Sequence, residues 1–161
     1  MVSLKQAVMG VSFLTGAALL AFAAAPQGPK PNFSGEWYFV PTKSKLQIPA
    51  PASGTFRIEH REPAIKIART FIREGKSDTW GIEMTTDGKE VVQEGNGQTS
   101  RARLYWEGSD LVLDEKITLK DRQATNVVKY HLSNGDKTLT ASESFHGPIL
   151  KYDNTWVFEK K

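Results

Sequence analysis

The chain has 161 residues, with 21 Lys and Arg against 18 Asp and Glu and no cysteine. That length suits one domain with a real core, and the lack of cysteine excludes disulfides and thiolate metal sites. A net charge of +3 spread over many charges of both signs speaks for solubility and against nucleic-acid binding.

Residues 1–25 read as a signal peptide. Lys5 gives a positive start, Ala7 to Ala25 is apolar or small, and a signal peptidase would find small residues at Ala21-Phe22-Ala23 or at Ala23-Ala24-Ala25. The apolar run approaches the ~20 residues of a spanning helix, so an uncleaved anchor is the competing reading. The Ala-rich end and the Pro-rich continuation favour cleavage, which would leave no membrane span in the mature form. Export without disulfides points to a bacterial periplasmic or extracellular protein. Residues 26–32, with Pro26, Pro29 and Pro31, read as an extended tether. Residues 33–160 read as a single domain.

The domain opens on Asn32 to Val40, a first strand whose Phe33, Gly35, Trp37 and Phe39 share a face. Gly35, two residues before Trp37, would let the indole lie across a neighbouring backbone and close one end of a barrel. Residues 41–53 contain Pro41, Pro49 and Pro51, which exclude a central strand or helix interior. This stretch is expected to be an ordered loop over one barrel mouth, with Leu46 and Ile48 turned inward; a lid is the alternative.

From Gly54 onward, turn signals recur about every 13 residues, the spacing of an antiparallel meander. Asp87-Gly88 and Asn134-Gly135 fit two-residue type I′ hairpin turns best, and Gly95-Asn96-Gly97 reads as another hairpin turn. Between the signals, segments 55–60, 64–73, 77–86, 89–94, 98–106, 110–120, 124–133, 137–145 and 149–159 are rich in β-branched and aromatic residues. Many alternate apolar with charged, so one layer must curl upon itself or pair with a second sheet. The expected fold is all-β: an antiparallel up-and-down barrel of about 8–10 strands with no substantial helix. Charges on its outer face, such as Arg57, Glu83, Arg103 and Lys116, exclude a lipid-facing barrel.

Phe33-Ser34-Gly35-Glu36-Trp37 resembles the G-x-W first strand of the calycin superfamily. The wider pattern resembles small, exported, lipocalin-like bacterial proteins, through Ile58 to Pro63, Thr85 to Glu90 and Leu132 to Thr140. The resemblance implies a barrel that encloses a small hydrophobic ligand. No ligand carries over, because neither the lipocalin C-terminal helix nor a biotin-site pattern is present.

Three ionisable residues interrupt otherwise apolar faces: Arg69 among Ile65, Ile67 and Phe71; Glu115 among Leu111, Leu113 and Ile117; Glu143 among Leu139, Ala141 and Phe145. Buried charge must be paired, so an interior cluster is expected, with Tyr130 and Asn154 adding hydrogen bonds around a ligand's head group. Two other outcomes stay open: a β-bulge that turns the charges into water, or a purely structural ion pair. Trp37 and Trp156 are expected in the core, Trp80 and Trp106 at a mouth. His60, His131 and His146 lack metal-ligand spacing, and His60 reads as a solvated turn residue. No nucleophile elbow or phosphate loop appears, so no catalytic residue, metal ligand or cofactor is expected. The sequence leaves two functions open, a carrier of a small apolar or amphipathic ligand and a solid-core module that contacts a protein or envelope partner. Oligomeric state is not legible.

Overall fold

The computed structural model describes residues 28–95 and 97–161. The signal-peptide reading, Pro26 and Gln27 of the tether, and Asn96 of one turn lie outside them. Ten strands form one antiparallel sheet: β1 (Gly35–Phe39), β2 (Ser53–Arg61), β3 (Ala64–Arg73), β4 (Lys76–Thr85), β5 (Val91–Gly95), β6 (Gln98–Glu107), β7 (Asp110–Leu119), β8 (Arg122–Ser133), β9 (Thr138–His146) and β10 (Lys151–Lys160). Among the described residues the one helical element is a single 3-10 turn, Pro41–Lys43.

The order across the sheet is β4-β3-β2-β1-β10-β9-β8-β7-β6-β5. Apart from β4 and β5, neighbours in sequence pair antiparallel, and β1 meets β10 with Trp37 opposite Lys160 and Phe39 opposite Phe158. The two edges, β4 and β5, face each other without a ladder. Gln93 Nε2 reaches across to donate to the Gly81 carbonyl at 3.1 Å, which leaves the barrel nearly closed.

This open seam corrects the hairpin expected at Asp87-Gly88. Gly88 has φ of +80° while Asp87 keeps ordinary backbone, so the turn is not type I′. The Asp87 carboxylate instead accepts from Thr85 Oγ1 at 2.5 Å and from the Lys89 N–H at 3.3 Å. Such local side-chain bonds compete with a ladder, and the chain moves to β6, where the Gly88 N–H donates to Leu104 O at 2.9 Å. At Asn134-Gly135 both residues do have positive φ, +54° and +61°, within a four-residue loop between the paired Ser133 and Thr138.

The outer face carries directly opposed charges: Lys66 with Glu83 at 2.7 Å and Arg103 with Asp114 at 2.9 Å. Exposed pairs of this kind contribute less than about 1 kcal/mol each. They oppose a one-residue slip of register all the same, since a slip would bury them.

The inner face is aromatic. Phe56 stands edge-on to Phe158 at 4.7 Å between centroids, and Phe71 stacks on Trp156 at 5.0 Å. The two ends of the barrel differ. At the end where β1 begins, Phe33, Trp37, Leu104, Leu139 and Phe158 are all fully buried. The Trp37 Nε1–H donates to the Phe33 carbonyl at 3.0 Å. At the other end residues 41–53 form an ordered loop. The 3-10 turn bulges outward, then Lys45 exchanges backbone bonds of 2.8 and 2.7 Å with Thr155. Leu46 and Ile48 pack on the core as expected, and Arg73 holds the Pro49 carbonyl.

Gly35 serves a different neighbour from the one expected. Its φ is +143°, and a Cβ there would meet Lys160 Cε at 2.3 Å. The missing side chain admits the Lys160 stem, whose ammonium lies 4.8 Å from the centre of the Trp37 ring. Gly35→Ala should therefore cost about 1–3 kcal/mol of stability from strained backbone, with an added clash. Urea unfolding of the double variant with Lys160→Ala checks this. The clash part should be recovered and the backbone part should remain; full recovery would show that the backbone is unstrained.

Candidate functional site

In the sheet, β3 pairs with β4 without interruption from Ala64 opposite Thr85 to Arg73 opposite Lys76. The ladders of β7 with β8 and β8 with β9 are likewise continuous around Glu115 and Glu143. No bulge shifts the phase, so period two carries all three ionisable residues inward. That overturns the outcome in which they turn into water.

Five of the residues singled out in the sequence line one cavity of about 200 Å³ at the loop end: Arg69, Trp80, Glu115, Tyr130 and Glu143. Apolar walls come from Phe56, Phe71, Leu113, Val128 and Trp156, and Gln98 and Asn126 add polar groups. Asn154 stands behind the wall. Its Nδ2 donates to Glu143 Oε2 at 2.9 Å, and its Oδ1 accepts the Gln47 N–H at 2.8 Å. The strand thus couples the loop to the site.

Each carboxylate is held by donors. Glu115, 7% exposed, accepts from Ser100 Oγ at 2.5 Å. Glu143 Oε2 also accepts from the Trp156 indole at 2.7 Å. Arg69 does not pair with either of them. Its ion pair is with Asp78 on β4 at 3.4 Å, and its guanidinium lies over Phe71 and Trp80 at 4.8 and 5.8 Å. The structural ion pair among the three is therefore absent. Burial raises the pKa of the Tyr130 hydroxyl well above the usual phenol value; Arg69 opposes the rise, while Glu143 and Glu115 add to it. Tyr130 is therefore a neutral wall group.

Among the described residues, two buried side-chain polar atoms have no protein partner, Arg69 Nε and Asn126 Oδ1. Both belong to residues that line this cavity. Buried polar groups are nearly always paired with protein or with ordered water, so each exception calls for an explanation. Asn126 was legible in principle, since it is the one amide on the face shared by Val128, Tyr130 and Leu132. The role of Trp156 in holding Glu143 gave no sequence signal beyond its inward phase.

Trp106 lies at the closed end, away from the cavity. Its indole N–H donates to Glu62 Oε1 at 3.0 Å, and its ring packs on Phe33 at 6.0 Å between centroids. His60, expected in solvent, is 7% exposed there. The buried Phe33 N–H needs an acceptor, and His60 Nδ1 supplies it at 3.2 Å. Its Nε2–H then donates to Glu62 Oε1 at 2.9 Å, which fixes the neutral tautomer. Thr86 Oγ1 completes the set with a bond to Glu62 Oε2 at 2.7 Å. Among the described residues, no group of three or more His, Cys, Asp or Glu is placed to hold a metal ion.

Burial pushes the Glu62 pKa up, but the bonds from Thr86, His60 and Trp106 outweigh it and leave the carboxyl below its ordinary value. A depressed folded pKa adds stability above the unfolded value of about 4.3, and that stability is lost as pH falls through the folded value. Glu62→Gln should cost less than about 1 kcal/mol at neutral pH, because the carboxylate is 44% exposed and screened by solvent, a gap that narrows below about pH 4. Chemical unfolding at both pH values checks this, and a constant gap would contradict it.

No protein-family model matches the chain, and no curated protein matches it. Solved structures do. A secretory abundant heat soluble protein from Ramazzottius varieornatus superimposes with a TM-score of 0.57 at 10% identity, over 84% of this chain and 98% of that one. The zebrafish ileal bile acid-binding protein, complexed with cholic acid, gives 0.52 at 16% identity, over 80% and 98%. A mutant of the fluorescent protein UnaG gives 0.51 at 14% identity, over 77% and 94%. At such identities the likeness establishes the fold alone: the chain is a nearly closed, lipocalin-like β-barrel of ten strands.

Proposed function

We propose that this protein is an exported barrel that binds one compact amphipathic small molecule in the cavity bounded by Arg69, Glu115 and Glu143. The observation that carries the reading is the pair of buried, unpartnered polar atoms, Arg69 Nε and Asn126 Oδ1, on the walls of one cavity. A bound molecule would satisfy both. The zebrafish neighbour, a bile acid-binding protein seen with cholic acid, supports the idea that this fold can admit a small molecule.

Volume limits the guest. About 200 Å³ falls below the ~300 Å³ at the low end of ordinary ligand pockets. It exceeds the ~150 Å³ that accommodates benzene. A substituted single ring fits within this space, whereas a steroid or long acyl chain would have to extend beyond it. The role is binding and not catalysis, because the two carboxylates are tied to donors and no histidine lines the cavity. Export rests on the charged, apolar and Ala-rich character of residues 1–25.

The solid-core interaction module remains the second reading, favoured by the filled half of the barrel and by exposed Ile149 and Leu150 at the loop end. Native mass spectrometry of protein expressed at full length in a secreting bacterial host tests these readings together. The expected polypeptide begins at Ala24 or Pro26 and retains a small molecule that is lost on collisional activation. A polypeptide that keeps its leader would overturn export. A bare polypeptide, with no small molecule also after incubation with cell extract, would favour the solid core.

A further inference from the structure

The polar groups of the cavity are segregated by wall, and their arrangement selects a class of ligand. Glu115 on β7 is directly opposite Asn126 on β8, while Glu143 on β9 is opposite Val128, two residues further along β8. Three acceptors thus occupy adjacent strands of one wall. Ser100 donates to Glu115, and Asn154 and Trp156 donate to Glu143. A carboxylate has about four lone-pair sites. One is used on Glu115, and Glu143 Oε1 takes part in neither of the bonds to Glu143 Oε2.

The facing wall is different. Arg69 and Trp80 are paired across β3 and β4, and Arg69 Nε is a donor without a partner. The guanidinium already faces Asp78 at 3.4 Å. Two carboxylates therefore stand against one guanidinium whose charge is partly answered from outside the cavity. An anionic guest would meet this excess negative charge in a partly desolvated space, where like charges repel strongly. A guest that carries N–H donors at one end and an oxygen acceptor at the other would match both walls.

We infer that the cavity selects a compact aromatic amine, with its ammonium on the Glu115–Asn126–Glu143 wall and an acceptor oxygen on Arg69 Nε. The inference rests on the small-molecule reading above and narrows it. The ring lies among Phe71, Trp80 and Trp156, which supply apolar area and ring faces. The ammonium then meets three acceptors at once, and charge-assisted bonds to carboxylates are the strong ones.

Three probes with the same ring and a hydroxyl at the same place isolate the head group: tyramine, 4-hydroxyphenylacetate and the neutral 4-hydroxyphenethyl alcohol. Calorimetric titration of the mature wild-type protein should place tyramine at least tenfold tighter than the carboxylate, with the alcohol between. Glu115→Gln should narrow that preference severalfold, with the larger loss falling on tyramine. Because the ranking is read on the wild-type protein, it stands even if the variant fails to fold. Equal or tighter binding of the carboxylate would overturn the amine assignment and leave small-molecule binding standing. No saturable binding of tyramine at millimolar concentration would also overturn it. The wider reading would then be decided separately by the molecule retained in native mass spectrometry.

Discussion

Glu143 is held by two donors from the neighbouring strand, Asn154 Nδ2 and the Trp156 indole, and much of the loop end depends on those bonds. Asn154 Oδ1 accepts from Gln47, so the same residue that anchors the carboxylate also anchors the Pro-rich loop. Trp156 stacks on Phe71, which ties the carboxylate wall to the wall of Arg69. A carboxylate taken even partly out of water, as Glu143 is, is costly unless its lone pairs are met. Here the donors that meet them also set the shape of the cavity.

The other end shows the same logic without a cavity. His60, Glu62, Thr86 and Trp106 form a connected polar set in which donors meet acceptors. Around it Phe33, Trp37 and Phe158 fill the barrel. One end is therefore solid and satisfied. The other is hollow and holds the two buried atoms that lack a partner among the described residues. This contrast favours a binding role over a packing defect, because a sequence able to complete one polar network has left the other incomplete.

Much of this was legible in the residues, for an identifiable reason. Period two puts Arg69, Glu115 and Glu143 on the inner face only where no bulge shifts the phase, and the sequence left that bulge open until the unbroken ladders excluded it. Alternation does not give depth along the barrel or distance across it. Trp80 and Trp106 therefore looked alike, although they stand at opposite ends. It also could not tell that Arg69 would reach Asp78 rather than a glutamate. His60 was misread because a polar residue beside a turn is usually wet; only the fold reveals that the Phe33 N–H needs it. The Asp87-Gly88 signal misled because the Asp87 side chain capped its own neighbours and released the strand.

The central claim is that space for a guest exists at the Trp156 end and not at the Trp37 end. The four indole N–H signals, followed by NMR while phenol is added, report on both ends in one experiment. The account predicts that the Trp80 and Trp156 signals shift in a saturable way while those of Trp37 and Trp106 stay fixed. Movement of Trp37 or Trp106 with Trp156 unmoved, or no movement at all, would contradict it.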